Sequence, residues 1–185
     1  GDSGVQNEAY GVSASYGKNI ITGTSGSESK VELIAKSAAK NFGLLAYHEG
    51  QNIIRDTGSV SITASDPGDP GRVVETAAFG VESMYGSSNL IDNIAGDVTV
   101  LAKSSSATSR ALGLTASHLS TNTISNVGGA TTIIATAGGG SKTEARGMAA
   151  YEGGKNEILS AASVEVIAEN GNSSHALHSS KEGIN

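Results

Sequence analysis

The chain contains no cysteine, no tryptophan and only two prolines. Without cysteine, neither a disulfide nor a thiolate metal site can contribute to stability or chemistry. Aromatic residues make up 4% of the 185 residues, so a core must be built from stacked Ile, Val, Leu and Ala side chains. No stretch approaches the roughly 20 apolar residues of a membrane span, and we expect no membrane insertion of this segment.

Positive charge is also scarce. The chain has 12 Lys and Arg against 18 Asp and Glu, for a formal net charge of -6. The basic residues form no run, which argues against nucleic acid as a partner. His175 and His178 are close in sequence, but two ligands alone do not hold a metal, and no calcium-roll motif occurs. We therefore expect neither a cofactor nor a metal.

What the chain has in abundance is glycine, at 25 residues, and repetition. The line A-Y-G-V-S-A-S-Y-G-K-N-I-I returns as N-F-G-L-L-A-Y-H-E-G-Q-N-I-I and then three more times. A fixed period of 32 to 37 residues is typical of a solenoid or an array, and it predicts one elongated domain. The repeated glycines are Gly11, Gly43, Gly80, Gly113 and Gly147.

Each repeat carries patterns of period two. Segments such as V-E-L-I-A (31–35) and V-T-V-L-A (98–102) alternate apolar and polar residues, as a half-buried strand does. Residues 27–40 alone would suit a helical repeat, but the other copies are β-branched and broken by glycine at the same columns. We predict an all-β parallel β-helix, or β-solenoid, of about five coils with three short strands per coil. An invariant column is expected inside it: Ile21, Ile54, Ile91, Ile124 and Ile158.

The repeats divide the single domain into consecutive coils. A sixth coil begins at Ala176 and reaches only its Asn column at Asn185, so we expect a segment without capping repeats. The longest insertion is the loop around residues 66–70. The approximate coil boundaries are 8–40, 41–76, 77–109, 110–144 and 145–175, followed by the partial coil 176–185.

Asparagine recurs at one position of every coil. Stacked Asn side chains at a corner can bond to one another and to the turn backbone, which fixes the register of the coils. We interpret the column as a structural ladder. Its members are Asn19, Asn52, Asn89, Asn122 and Asn156.

A band of aromatic residues lies four or five positions after the repeated glycine. Such a stripe on one edge could bind sugar rings or a protein partner. The alternative is a stacking ladder that closes the end of the first strand. The candidate binding residues are Tyr16, Tyr47, His48, Tyr85, His118 and Tyr151.

The fourth residue of the third strand should point away from the core, yet it is aliphatic in four of the five coils. A continuous apolar stripe suggests a covering partner or loop, and we treat it as a possible assembly face. Its residues are Ile34, Thr63, Leu101, Ile134 and Ile167.

The recurring A-x-G-(V/L)-x-A, N-x-I and V-x-I-x-A segments resemble passenger regions of bacterial autotransporter adhesins and related large secreted β-helix proteins. The resemblance implies a right-handed parallel β-helix at a bacterial cell surface or in the extracellular medium, working as a stalk or adhesive. A protein or glycan surface ligand would be its partner, with self-association into a fibre as an alternative. A polysaccharide-degrading β-helix enzyme is a further alternative, but no carboxylate pair falls in register, so we expect no enzyme.

Overall fold

The computed structural model describes residues 8–24, 28–36, 39–66 and 75–185. Within these residues every pairing between strands is parallel. Residues 67–70 of the longest loop lie outside the described part. The strands are β1 (Glu8–Ser15), β2 (Lys18–Thr22), β3 (Lys30–Lys36), β4 (Lys40–Tyr47), β5 (Gln51–Thr57), β6 (Ser59–Ser65), β7 (Thr76–Met84), β8 (Ser88–Ile94), β9 (Val98–Lys103), β10 (Thr108–Ser117), β11 (Thr121–Thr136), β12 (Lys142–Tyr151), β13 (Lys155–Glu169) and β14 (Ser173–Ser180).

The strands form two parallel sheets. Six strands make the first sheet in the order β1-β4-β7-β10-β12-β14. The other eight make the second sheet in the order β2-β5-β8-β11-β9-β6-β3, with β13 paired to β11. The chain visits the sheets in turn and advances by one strand each time, so it winds into a solenoid of about five turns. The prediction of an all-β parallel β-solenoid is confirmed.

The coils are not uniform in their strands. In the first three coils the second sheet receives two separate strands from each coil, such as β5 and β6. In the next two coils these strands run together as β11 and β13, of 16 and 15 residues. A register shift between Val127 and Ala130 marks the corner inside β11. The last strand of the first sheet, β14, begins at Ser173, three residues before the expected start at Ala176.

The core is a set of aliphatic columns between the two sheets. Each Ile of the invariant column pairs in register with the Ile of the next coil. The three central members are buried, with Ile91 only 1% exposed, while Ile21 and Ile158 are partly buried at the ends. The facing column from the first sheet is Val12, Leu44, Val81, Leu114 and Met148.

The glycine column lets the two sheets approach closely. A Cβ on Gly43 would overlap the Cγ2 atom of Ile62, and one on Gly80 would overlap Cγ1 of Val100. Ile62 and Val100 belong to the second sheet, where they are fully buried. Glycine is needed here because the β-branched side chain opposite occupies the space that a Cβ would take.

The five repeated asparagines form a hydrogen-bonded column. The Nδ2 group of Asn89 donates to the carbonyl oxygen of Glu82 at 2.7 Å and to Oδ1 of Asn122 at 2.9 Å, while its Oδ1 accepts from Asn52. The same two donations recur from Asn19 to Asn156. Asn185 takes the next place, since it accepts from Asn156 and donates to the carbonyl of His178. Each asparagine thus connects the first-sheet strand of its own coil with the coil that follows.

The Ile column gives a first test. Ile91→Ala should lower the free energy of unfolding by roughly 2 to 5 kcal/mol, because the cavity lies in a central coil with packed neighbours. The half-exposed Thr99 lies on the outer face of the same coil, and Thr99→Val should change stability by under about 0.5 kcal/mol. Denaturant unfolding measures both, and equal losses at the two sites would show that the strand phase is wrong.

The Asn column gives a second test. Asn89→Ala should cost on the order of 2 to 4 kcal/mol, because buried groups of Glu82, Asn52 and Asn122 lose a partner that water cannot replace. Asn19→Ala is the matched control, since Asn19 makes the same two donations in the half-exposed first coil. Its loss in denaturant unfolding should be clearly smaller. An equal loss of unfolding free energy in Asn19→Ala and Asn89→Ala would contradict the claim that burial makes the asparagine hydrogen bonds stabilising.

Candidate functional site

The outer face of the first sheet carries a groove of about 570 Å³. Val81 packs in the core, so its neighbour Glu82 points to the opposite face of β7, where the groove lies. We call this surface the first-sheet groove. Among the described residues it is lined by Lys40, Phe42, Glu75, Ala77, Phe79, Glu82, Met84, Arg110, Leu112, Thr115, Ser117, His118, Tyr151 and Glu152.

Phe42 and Phe79, two members of an aromatic column, line the first-sheet groove. The rings of Tyr10, Phe42 and Phe79 stack on one another, with centroids 5.2 and 5.0 Å apart and planes within 9°. Leu112 follows Phe79 in register and is fully buried. Because each inner ring face is covered by a neighbour, the column presents ring edges and not flat faces to the groove.

A buried acid lies in the middle of the first-sheet groove. Glu82 is 6% exposed, and its register neighbour Thr115 is 4% exposed. The Oγ1 atom of Thr115 is buried without a hydrogen-bond partner in the described structure. Burial raises the pKa of the Glu82 carboxyl to about 8, against the smaller opposing effects of Arg110 and Lys40. The carboxyl is therefore mostly protonated at neutral pH.

Paired charges occupy one end of the groove. Nε of Arg110 lies 3.0 Å from the Glu144 carboxylate, which also pairs with Arg146. Nζ of Lys40 lies 3.8 Å from the Glu8 carboxylate. The cations at this end are thus compensated by acids of neighbouring strands.

A second charged group occupies the opposite end. The Glu152 carboxylate lies 2.6 Å from Nε2 of His118 and accepts a hydrogen bond from Lys181 at 2.8 Å. The hydrogen bond from Lys181 holds the pKa of Glu152 below its usual range. Tyr151 lies next to this pair, and its hydroxyl is bonded by Arg146. The two ends therefore differ from the middle of the groove, where the acid has no counter-ion.

The structure divides the predicted aromatic band into two adjacent columns. Tyr47 and Tyr151 end strands of the first sheet, in register with Met84 and Ser117. The other members of the band lie in the turns that follow strands of this sheet. Tyr16 and His48, for example, have positive φ angles of 54° and 45° there. The turn column comprises Tyr16, His48, Tyr85 and His118.

The turn column is a stack of rings. Tyr16 stacks on His48 and His48 on Tyr85, each with centroids 5.1 Å apart, and His118 follows Tyr85 at 4.4 Å. Tyr47 meets the edges of this stack. Tyr151 is separate, because its nearest aromatic contact is His178 at 5.5 Å and Arg146 lies over its ring. Both hypotheses for the band, binding edge and closing ladder, stay predictions.

The stripe assigned as a possible assembly face also forms one column. Ile34, Thr63 and Leu101 pair in register, and the column continues through Ile134 to Ile167. Ile34 is 52% exposed, and the other four are half-buried on the outer face of the second sheet. Among the described residues, no loop or strand is identified that packs over this column. Assembly through the column stays a prediction.

Sequence reasoning missed the two main features of the groove. Tyr10, Phe42 and Phe79 each precede a repeated glycine, so the aligned repeats contain the signal for the aromatic column. Glu82 is the acid two positions after Gly80, where the other coils carry Ser, Leu, Thr and Ala. Gly80 and Val81 both face the second sheet, so strict alternation does not predict the outward direction of Glu82, and its burial depends on side chains of neighbouring coils.

The structure defines this chain as a parallel β-solenoid, and comparison with known proteins assigns no family beyond that fold. No protein-family model, no curated protein sequence and no solved structure matches the chain. The described residues include no helix long and apolar enough to cross a membrane. In the same residues, no three His, Asp or Glu side chains lie close enough together to hold a metal ion.

The buried acid gives a third test. A carboxyl whose folded pKa is near 8 and whose unfolded pKa is near 4.5 binds a proton more tightly in the folded state. Its stabilising effect is present below the unfolded value and is lost as the pH rises towards 8. Glu82→Gln should therefore match the wild type at pH 5 and exceed it by a few kcal/mol at pH 9 in denaturant unfolding.

The control for this test is Glu32→Gln, which removes the same charge from an exposed position on the second sheet. Its stability should follow that of the wild type at every pH. A constant difference between wild type and Glu82→Gln from pH 5 to pH 9 would contradict the buried, protonated state.

Proposed function

We propose that the chain is a non-enzymatic, adhesive β-solenoid segment of a bacterial surface or secreted protein, and that its ligand binds in the first-sheet groove. The solenoid is the scaffold, and the groove is the contact surface. The repeat pattern resembles adhesin passenger regions, and this resemblance supports the location at a bacterial surface. It also implies that the solenoid is right-handed. A single observation carries the assignment of the contact surface: a groove with an apolar wall and two buried polar groups without partners.

The size and lining of the groove support binding of a ligand. About 570 Å³ is within the range of small-ligand sites, which bury most of their ligand against apolar side chains and a few placed polar groups. Phe42, Phe79 and Leu112 supply the apolar part, and Glu82 and Thr115 supply the polar part. Polar groups left unpaired in a protein interior cost free energy, which a bound ligand could recover.

The state of Glu152 and Glu144, the acids at the two ends of the groove, supports binding without glycoside hydrolysis. Most glycoside hydrolases, the enzymes that a parallel β-helix most suggests, use a pair of carboxyl groups on either side of the bond that breaks. Glu152, at one end of the groove, is held by His118 and Lys181, and its lowered pKa keeps it ionised. Glu144, near the other end, is held by Arg110 and Arg146. Glu82 therefore has no free partner among these acids.

The fourth test blocks the groove. Ser117 lies in register between Met84 and Tyr151, and this column also contains Tyr47, so Ser117→Tyr adds a ring that the column already tolerates. Beads coated with the wild-type chain should be retained on cultured epithelial cells or on extracellular matrix. Beads coated with Ser117→Tyr should lose most of this retention, because the added ring fills the groove.

The matched control is Thr132→Tyr, which adds the same ring to the outer face of the second sheet, where Thr132 is half-exposed. Beads coated with this variant should be retained like the wild type. Equal retention of both variants would move the contact surface away from the groove. Wild-type beads that are retained no better than uncoated beads would contradict the adhesive function.

A further inference from the structure

The first-sheet groove has a carboxyl group without a counter-ion at its centre. In the described structure the Glu82 carboxyl makes no side-chain hydrogen bond and no ion pair, although it is 6% exposed. Its register neighbours on either side are Leu45 and Thr115, of which Leu45 offers no donor. The Oγ1 atom of Thr115 is itself without a partner. A hydrogen-bond or ion-pair partner for the Glu82 carboxyl must therefore come from a ligand.

The surrounding charges favour a cationic ligand group at this point. The titratable and charged groups that line the groove are Lys40 on β4, Glu75 before β7, Arg110 on β10, and His118, Tyr151 and Glu152 at the other end. Arg110 and Lys40 already pair with Glu144 and Glu8. A ligand carboxylate would compete with these acids, whereas a ligand cation at Glu82 would meet no competing protein cation in hydrogen-bond contact with it.

The apolar wall defines the rest of the ligand. Phe42, Phe79, Leu112 and Met84 line the groove around Glu82, so a hydrated, polar ligand body would lose water there without a hydrogen bond in return. A hydrocarbon body gains by burial at the same place. We propose that the first-sheet groove binds a primary ammonium group carried on an apolar stem, with the ammonium paired to the Glu82 carboxylate and hydrogen-bonded to Thr115.

This inference rests on the proposed function and implies that binding is linked to a proton. Burial keeps Glu82 protonated at neutral pH, with a pKa of about 8. An ammonium ion pairs with the carboxylate form only, so binding must release the proton. Affinity should therefore fall about tenfold for each pH unit below 8, and proton release should appear as a heat that depends on the buffer.

The experiment is a calorimetric and NMR titration of the whole chain between pH 6 and pH 9. The probes are 2-phenylethylamine, its neutral analogue 2-phenylethanol, and Nα-acetyl-lysine N-methylamide, which represents a lysine side chain of a protein. The amines should bind more tightly as the pH rises, and the alcohol should bind weakly without pH dependence. Tighter binding of the phenyl probe would indicate a free amphiphilic amine as ligand, and tighter binding of the lysine probe would indicate a protein.

Two variants decide the role of the acid. Glu82→Gln should lose at least about tenfold in amine affinity at pH 8 together with proton release, while Glu32→Gln should bind like the wild type. Equal binding of amine and alcohol, or undiminished amine binding by Glu82→Gln, would overturn the inference. The adhesive function would still be supported in that case if Ser117→Tyr abolished bead retention. The two proposals can therefore be rejected independently of each other.

Discussion

Parallel, in-register hydrogen bonding between successive coils is the constraint on which the rest of the structure depends. Backbone groups of one coil are paired with the same positions of the next, so each residue type meets its own repeat about 4.8 Å away. A position that holds Ile in one coil must accommodate Ile above and below it, as Ile54, Ile91 and Ile124 do. The asparagine and glycine columns follow from the same constraint, since each serves a contact that recurs in every coil.

Function is expected where the columns stop repeating. The column of Glu82 carries Ser13, Leu45, Thr115 and Ala149 at the equivalent positions, so the backbone supports the site while the side chains differ. The same holds at one end of the groove, where a single column carries Glu8, Lys40, Ala77, Arg110 and Glu144. A solenoid can vary its outer columns without loss of its core, because inner and outer residues alternate along each strand.

Much of the fold could be predicted from local patterns, and the site could not. The alternation in V-x-I-x-A and the invariant Ile column identify the inner face, because burial on that face recurs in each coil. The merging of two strands in β11 was missed, since the V-G-G-A corner at 127–130 looks like a turn in sequence but continues the pairing with β13. The burial of Glu82 was missed for a different reason. The register neighbours of Glu82 are Leu45 and Thr115 from the two adjacent coils, and no single repeat contains all three residues.

The absence of cysteine allows the central claim to be measured directly, because two cysteines introduced for spin labels would be the only ones in the chain. Glu32 and Glu165 lie on the outer face of the second sheet, in one column and four coils apart. Pulsed electron spin resonance on Glu32→Cys/Glu165→Cys should give a narrow distance distribution centred near ~20 Å, four coil spacings. A broad distribution, or a mean distance about twice as long, would contradict in-register stacking of the coils.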